Sequence, residues 1–225
     1  MATLGAAVRS CGEGISGVEF DYEHGATAVG KAGIVSAEER RFFTSLMDRM
    51  QRSMGGELTV SEDVGVWGVT AGSYPLEVTP WVDAEIMKRN PNLFVNSMSY
   101  HDPADCSIGA WLKDAAILHE MWGLPKSQIN LGVGYFAFNL SWFPWGRVVG
   151  EPTWANLGEH CPNIGVDVCS CDGVPFAGKR VNYELGRLIA REGYRGAFPW
   201  AANYDAWRHN NSLVEWLGRG LGIIP

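Results

Sequence analysis

The sequence has no cluster of basic residues and no long apolar run. Its 18 Lys and Arg residues are scattered among 25 Asp and Glu residues, so the net charge is −7 at pH 7. An acidic chain repels phosphate groups, which argues against nucleic acid and anionic membrane surfaces as partners. No apolar stretch approaches the roughly 18 residues that a membrane-spanning helix requires. We therefore expect no membrane span, and the opening residues lack the basic and apolar segments of a signal peptide.

A glycine-rich phosphate-binding fingerprint is also missing after the first predicted strand, which argues against a nucleotide site. Cysteine is scarce, and five is an odd number, so at least one cysteine is unpaired within the chain. Cys161, Cys169 and Cys171 lie close together in the sequence. A zinc site needs four ligands at tighter spacing, and only His160 is near enough to be the fourth. We favour a loop disulfide or free thiols, and we expect neither a metal nor a cofactor.

Hydrophobic residues are abundant by contrast. They make up 46% of the chain, with ten Trp, nine Phe and seven Tyr, which is enough for a sizeable core in one large domain or two small ones. Strand-like and helix-like patterns alternate along the chain. The predicted strands lie within residues 14–23, 57–68, 92–100, 128–138 and 194–200. The predicted helices lie within residues 2–11, 37–54, 79–90, 107–122, 182–193 and 212–222.

Three of these helices carry start signals. Thr79 and Pro80 are typical of an N-cap and a first-turn proline. Capping boxes are formed by Ser36 with Glu39 and by Ser212 with Glu215. A methionine-rich stripe at helical spacing in the second helix predicts a core-facing side. Its members are Phe42, Phe43, Leu46, Met47, Met50 and Met54.

Strands separated by helices at this spacing predict parallel βα units with right-handed crossovers. Two α/β folds fit the pattern, an open doubly wound sheet and a (β/α)8 barrel. In both folds, ligands bind at the carboxyl ends of the strands. Polar and aromatic residues accumulate at those ends, within residues 21–23, 67, 98–101, 136–139 and 200–204.

The stretch GISGVEFDYEHG, residues 14–25, alternates acidic side chains with apolar and aromatic ones. The two sets occupy opposite faces of a strand: Glu19, Asp21 and Glu23 on one, and Val18, Phe20 and Tyr22 on the other. An open sheet would bury the acidic face under a helix, whereas a barrel directs it inward, where strands and water can hydrogen-bond it. Close carboxyl groups do not all ionise, so the one nearest the mouth is suited to general acid catalysis. The alternative is a strand end with ordinary solvated acids.

The segment SGVEFDYE resembles the signature D-G-x-D-x-D-x-E of the family 18 glycoside hydrolases, which lies on the fourth strand of a (β/α)8 barrel. Gly17, Asp21 and Glu23 match it, while Ser16 and Glu19 stand at its first two acidic positions. Further segments follow in the family's order. VNSMSY is similar to the sixth-strand M-x-Y segment, GLPKSQINLGVGYFAF to the run into the seventh strand, and GAFPWAANYD to the eighth strand with its Trp.

The resemblance implies a chitinase-like TIM barrel that hydrolyses chitin or N-acetylglucosamine oligosaccharides. In this chemistry the acetamido oxygen of the substrate takes the place of a carboxylate nucleophile, with net retention. Glu23 would protonate the glycosidic oxygen, Asp21 would orient the acetamido group, and Tyr100 would donate a hydrogen bond to it. The substrate-binding residues that the resemblance implies are Glu19, Met98, Trp200 and His101. Core packing is the alternative role of Met98 and Trp200.

The sequence departs from the family pattern at several positions. His101 follows Tyr100 where the family has Asp, and Phe136, Ala137 and Phe138 replace the Y-G-R-like end of the seventh strand. These changes leave a second hypothesis open, a lectin-like relative that binds chitooligosaccharides without turnover. A third hypothesis is a truncated barrel that serves as an interaction or scaffold subunit.

If the first predicted strand is the fourth of a barrel, the chain carries about five βα units, strands four to eight, where a closed barrel needs eight. We expect one partial barrel domain over residues 1–225, with a Cys-, Gly- and Pro-rich insertion at about 139–181. The remaining units come from a longer polypeptide, which we favour, or from another chain, or the sheet is reorganised. Two Asn-x-Ser sequons, at Asn139 and Asn210, and the frequent secretion of the family favour an extracellular or luminal location.

Overall fold

A computed structural model describes residues 2–12, 14–22, 36–55, 58–66, 82–100, 105–136, 153–155, 157, 161, 163–171, 174–206 and 212–225. The chain divides into two compact units. The first unit consists of residues 1–98 and 114–130, and the second of residues 99–113 and 131–225.

Strands and helices alternate in the described ranges, as the sequence predicts. The strands are β1 (Gly17–Phe20), β2 (Thr59–Val64), β3 (Leu93–Ser97), β4 (Ile129–Gly134), β5 (Ser170–Cys171), β6 (Val174–Pro175) and β7 (Gly196–Trp200). The α-helices are α1 (Ala2–Ser10), α2 (Ala37–Met54), α3 (Ala84–Lys88), α4 (Gly109–Ala116), α5 (Lys179–Glu192) and α6 (Leu213–Leu221). A π-helical turn (Ile117–Met121) follows α4, and short 3-10 turns lie at Lys126–Gln128 and Ala202–Tyr204.

Parallel strands form the sheet of the first unit. β2 lies between β1 and β3, and the start of β4 lies beside β3. The register sets Glu19 beside Ser61 and Asp63 beside Asn96. Because the strands are parallel, side chains in register point to the same face of the sheet. Parallel pairing and intervening helices confirm the predicted α/β class, while the number of βα units stays a prediction.

α2 covers one face of this sheet and follows its predicted limits. Ser36 Oγ accepts a hydrogen bond from the Glu39 amide at 3.1 Å, and the Glu39 carboxylate accepts one from the Ser36 amide at 2.9 Å. Met47 and Met54 are buried against the sheet, as the stripe predicts. The prediction is wrong for Phe42, which is 72% exposed. One residue is about 100° of helix rotation, so Phe42 turns away when its neighbour Phe43 faces the sheet.

In the second unit, the end of β4 lies beside β7. Trp111 of α4 is fully buried, and its indole N–H donates to the Gly132 carbonyl at 2.6 Å. α5 and α6 pack closely because glycines line their contact. A Cβ atom on Gly186 would overlap the Leu217 carbonyl oxygen, and one on Gly220 would overlap the Tyr183 carbonyl oxygen.

Two disulfides, Cys106–Cys169 and Cys161–Cys171, lie in the second unit, and Cys11 is unpaired and exposed. This pairing agrees with the disulfide alternative, and it engages three of the four candidate zinc ligands, Cys161, Cys169 and Cys171. The cross-links tie the short antiparallel hairpin of β5 and β6 to its surroundings. Lys179, the first residue of α5, adds a hydrogen bond from Nζ to the Ile164 carbonyl at 3.0 Å.

Helix starts differ from the prediction in two places. α3 begins at Ala84, where the Asp83 side chain accepts hydrogen bonds from the Glu85 and Ile86 amides. This is later than the predicted start at Thr79 and Pro80, which lie outside the described residues. α5 begins at Lys179, three residues before the predicted start. Within the described ranges, no helix combines the length and apolarity needed to cross a membrane.

Candidate functional site

β1 separates its acidic and aromatic side chains onto two faces, as the alternation predicts. The rings of Phe20 and Tyr22 pack on Phe43 of α2, with centroid distances of 5.8 Å and 4.9 Å. Glu19 lies on the other face, where it accepts a hydrogen bond from Asn96. Asp21, two residues further along, is exposed. The acidic side of β1 is therefore turned away from the helix that covers its aromatic side.

Asn96 is the centre of a polar group on this acidic face, which we call the Asn96 cluster: Glu19, Ser61, Asp63, Asn96 and Asn130. Asn96 Nδ2 donates to Glu19 Oε2 at 2.7 Å and to Asp63 Oδ1 at 3.0 Å, with Ser61 Oγ at 3.4 Å. Asn96 Oδ1 accepts a hydrogen bond from Asn130 Nδ2 at 2.8 Å. Asp63 and Asn96 are each 2% exposed. Four strands thus contribute to one hydrogen-bonded layer.

The environment of Glu19 disfavours its charged form. Partial burial raises the pKa of Glu19, the hydrogen bond from Asn96 lowers it, and the nearby charge of Asp21 raises it, with a net increase. A carboxyl group with a raised pKa beside a second carboxyl group is the arrangement in which one proton is shared. The sharing of a proton along the acidic row stays a prediction.

Glu62 lies on the opposite face of β2, which is the side that α2 covers. It is fully buried, and Oε1 accepts a hydrogen bond from the Tyr22 amide at 3.3 Å. Burial raises the pKa of Glu62 to about 9, with smaller contributions from the charges of Asp63, Asp21 and Glu19. This carboxyl group is therefore neutral at pH 7, and it holds the backbone at the end of β1.

The second unit contributes an aromatic group, which we call the Tyr100 cluster: Tyr100, Phe136, Phe198 and Trp200. The ring of Tyr100 lies 6.2 Å from those of Phe136 and Phe198 and 6.3 Å from that of Trp200, all between centroids. Trp200 is 45% exposed, so one side of its indole faces solvent. An exposed indole beside a phenol suits the C–H face and a polar group of a sugar ring.

The chain around Trp200 is held by hydrogen bonds on both sides. The Trp200 carbonyl accepts from the Tyr135 amide at 2.9 Å. Beyond Trp200, the buried Asp205 carboxylate accepts from the Leu213 and Val214 amides at the start of α6 and from Ser212 Oγ at 2.6 Å. Burial, and next the charge of Asp205, raise the pKa of Tyr135 well above its usual value. Hydrogen bonds thus fix the chain before and after Trp200.

The predicted site residues divide between the two units. Glu19, Asp21 and Met98 belong to the first, and Tyr100 and Trp200 to the second. Met98 is 8% exposed, and its amide donates to the Val64 carbonyl at 2.9 Å; its part in substrate binding stays a prediction. Glu23 and His101 lie outside the described residues, and their roles stay predictions.

Sequence reasoning missed Asn96, Asp63, Asn130 and Glu62. Their signal is the run Ser61–Asp63, polar residues inside an otherwise apolar strand, together with a lone Asn in the middle of β3. In the described part of the chain, no group of three or more His, Cys, Asp or Glu side chains is arranged to hold a metal ion.

Similar folds are found among solved structures. No protein-family model matches the sequence, and no curated protein matches it. Among solved structures, a chitinase from Rhizomucor miehei superposes with a TM-score of 0.68 at 13% identity, over 97% of this chain and 72% of that one. A chitinase-like agglutinin from Robinia pseudoacacia gives 0.62 at 17% identity, over 92% and 68%.

A chitinase from Bacteroides thetaiotaomicron gives a TM-score of 0.57 at 18% identity, over 80% of this chain. This chain spans 58% of the length of that protein. At these identities the likeness is one of fold. The fold is that of chitinases and chitinase-like proteins, the similarity that the acidic signature and the order of the other segments predict.

Proposed function

We propose that the protein is a chitinase-like glycoside hydrolase that cleaves β-1,4-linked N-acetylglucosamine polymers. The observation that carries the proposal is the orientation of β1. Phe20 and Tyr22 pack on α2, so the signature acids Glu19 and Asp21 belong to the face turned away from that helix. Alternation along a strand predicts that Glu23 continues this face.

The chemistry follows from the side chains that the signature supplies. The acetamido oxygen of the substrate attacks the anomeric carbon while Glu23 donates a proton to the departing glycosidic oxygen. Asp21 orients the acetamido group and stabilises the positive charge that develops on it. Glu23 then removes a proton from the water that opens the oxazolinium intermediate, which restores the acid and retains the anomeric configuration.

The aromatic residues supply binding rather than proton transfer. Tyr100 donates one directed hydrogen bond to the acetamido oxygen, and Trp200 stacks against the apolar face of the sugar ring. The 45% exposure of Trp200 supports this role, because an indole that served only the core would be covered. The resemblance assigns Met98 to the lining of the sugar pocket and His101, the residue after Tyr100, to a hydrogen-bonding role.

A second candidate function is chitooligosaccharide binding without turnover. The Tyr100 cluster favours it, because Phe136 stands where the family has a polar sugar contact and packs on the phenol ring instead. The fold likeness includes a chitinase-like agglutinin and YKL-39, which was solved with chitooligosaccharides. A sugar site with an apolar wall can bind a substrate while the acid chemistry is weakened.

Turnover of a chromogenic di-N-acetylchitobioside by the full chain separates these functions. We expect Glu23→Gln to lower kcat by about 10³-fold, since the variant keeps the size of the side chain but cannot donate or accept the proton. Glu38→Gln, which changes an exposed carboxylate of α2, is the matched control and should leave kcat unchanged. Turnover that survives Glu23→Gln contradicts the hydrolase proposal. Binding of chitooligosaccharides without turnover establishes the lectin-like function. If the chain neither binds nor cleaves them, both candidate functions are contradicted.

An extracellular or luminal location accompanies this function. Cys106–Cys169 and Cys161–Cys171 are both disulfide-bonded, and structural disulfides persist in oxidising compartments. The polymeric substrate that we propose is also met outside the cytosol. Secretion from a eukaryotic host with and without a mutated Asn139 or Asn210 sequon would check this placement.

A further inference from the structure

The backbone pairing of β1 with β2 ends before the acidic end of the signature. The last paired residues are Phe20 and Glu62, and Asp21, Tyr22 and Glu23 follow Phe20 in the sequence. The two acids that the proposed reaction uses therefore come after the last paired residue of β1. Because a displacement of about 1 Å can cost a catalytic group much of its effect, this extension of the strand needs contacts of its own.

Tyr22 makes two such contacts. Its ring stacks on Phe43 of α2, with 4.9 Å between centroids and an interplanar angle of 20°. Its backbone amide donates to Glu62 Oε1 at 3.3 Å. The first contact holds the side chain and the second holds the backbone of the residue that separates Asp21 from Glu23 in the sequence.

Glu62 is an unusual residue for its place in the sheet. Strand residues that face a covering helix in a parallel sheet are ordinarily apolar, yet Glu62 is a fully buried acid. Its Oε2 has no hydrogen-bond partner in the described part of the chain, while Oε1 accepts from the Tyr22 amide. Burying a carboxyl group costs free energy, so packing alone would favour an apolar side chain here. What an apolar side chain could not supply is the acceptor for Tyr22.

We propose that Glu62 is a positioning residue, whose side-chain oxygen holds the Tyr22 amide and thereby the backbone that presents Asp21 and Glu23 to the sugar. This inference rests on the proposed function for its catalytic meaning. Burial raises the pKa of Glu62 to about 9, so at pH 7 the group is a neutral acid that adds no negative charge behind the acidic row. The carboxamide oxygen of glutamine can accept the same hydrogen bond, whereas methionine offers only a weakly accepting sulfur.

The test compares variants of the full chain in the turnover of a chromogenic di-N-acetylchitobioside. Glu62→Met keeps the volume and removes the oxygen. We expect kcat to fall about tenfold with little change in KM, because Tyr100 and Trp200 supply the proposed binding contacts. Glu62→Gln keeps the acceptor and should restore kcat close to that of the wild type.

Gln51→Met is the matched control. Gln51 is 3% exposed, and its Nε2 donates to the Leu58 carbonyl at 2.9 Å, so this variant also removes a buried side-chain hydrogen bond to the backbone of the same unit. The bond lies just before the start of β2 rather than at the end of β1. A purely structural loss therefore affects Gln51→Met as well, whereas the proposed positioning role leaves its kcat unchanged.

The NMR order parameter of the Tyr22 amide is a second readout, which needs no turnover. We expect about 0.85, the value of rigid backbone, in the wild type and in Glu62→Gln, and a fall toward about 0.6 in Glu62→Met. Gln51→Met should leave the order parameter at Tyr22 unchanged.

An unchanged order parameter in Glu62→Met overturns the proposal. So does a loss of kcat that is equally large in Gln51→Met or in Glu62→Gln. If the wild-type chain shows no turnover, the proposed hydrolysis fails, while the order parameter still decides whether Glu62 holds Tyr22. If Glu62→Met does not fold, Glu62→Leu, which also lacks the oxygen, decides it.

Discussion

The two faces of β1 and β2 treat carboxyl groups in opposite ways. On one face, Glu19 and Asp63 share the N–H groups of Asn96 at 2.7 Å and 3.0 Å. On the other face, Glu62 receives one backbone N–H at 3.3 Å, and its Oε2 has no hydrogen-bond partner among the described residues. The first environment supplies side-chain hydrogen bonds to its carboxyl groups, whereas burial in the second raises the pKa of Glu62 to about 9.

This difference shows which surroundings determine whether a carboxyl group in a sheet is charged. Both faces belong to the same strands and both hold acids, but Glu19 is exposed whereas Glu62 is fully buried, so burial and hydrogen bonding both separate them. The Asn96 cluster provides side-chain donors that can turn toward a carboxylate. The helix side provides apolar side chains and a single amide, which cannot compensate the loss of hydration of a charge.

The largest expected effect comes from Glu62→Gln, measured as the free energy of unfolding against pH. The folded pKa is about 9, while the unfolded chain has an ordinary Glu pKa near 4.3. Because the folded pKa is raised, the stability that Glu62 contributes is complete below pH 4 and is lost as pH rises toward 9. We expect it to fall by about 3 kcal/mol between pH 4 and pH 7, as an order of magnitude.

Glu62→Gln removes this dependence, because glutamine has no proton to lose. Urea unfolding of both proteins at pH 4, 7 and 9 measures the two slopes. The free energy of unfolding of the variant, relative to that of the wild type, should increase at each step upward in pH. Equal slopes in the two proteins would mean that Glu62 is ionised and hydrated in the folded state, and the contrast between the two faces would disappear.

A smaller effect is expected from Phe43→Ala, which removes the aromatic cover of β1. The ring of Phe43 stacks on Tyr22 at 4.9 Å and meets Phe20 edge-on at 5.8 Å. Its loss should lower the free energy of unfolding by about 2 kcal/mol, through lost burial and ring contacts. Thermal and urea unfolding at pH 7 measure this loss of stability.

The chain offers a matched control for this variant in the next residue. Phe42 has the same side chain in the same helix but is 72% exposed, so Phe42→Ala should change stability by less than about 0.5 kcal/mol. Equal losses in the two variants would show that α2 does not use Phe43 to select the aromatic face of β1.

The alternation along β1 could be predicted because it depends only on neighbouring residues. A period of two assigns Phe20 and Tyr22 to one face and Glu19 to the other, whatever the rest of the chain does. The capping box at Ser36 and Glu39 is equally local. Such features are contained in a few consecutive residues, and the structure reproduces them.

The Asn96 cluster could not be predicted in this way. Whether Glu19 meets Asn96 depends on strand order and on the register that sets Asp63 beside Asn96, and periodicity contains neither. Glu62 was missed for a related reason: the alternation of the residues around it assigns it to the helix side, where an apolar residue is expected. The same limit applies to the disulfides, since Cys106 is far in sequence from Cys169.

The helix start at α3 shows competition between local signals. Thr79 with Pro80 and Asp83 are both acceptable N-cap positions from sequence alone. Asp83 caps α3, and its backbone amide also donates to Thr44 Oγ1 at 2.8 Å, a contact with α2 that sequence does not contain. A tertiary hydrogen bond therefore accompanies the cap at Asp83, and local propensity does not contain it.

The smallest expected effect concerns the hydrogen bond that links Glu62 to the end of β1. Glu62→Gln keeps an oxygen for the Tyr22 amide, whereas Glu62→Met keeps the volume and removes the acceptor. One hydrogen bond contributes about 1 kcal/mol, so amide exchange at Tyr22 should be about fivefold faster in Glu62→Met than in Glu62→Gln. The Val60 amide, which donates to the Asn92 carbonyl at 3.0 Å, is the internal reference and should exchange equally in both. Faster exchange at both amides would indicate a general loosening of the sheet. Faster exchange at Tyr22 alone would mean that the neutral acid of the helix face anchors the strand end that carries Asp21, so that the two faces act on the same acidic row from opposite sides.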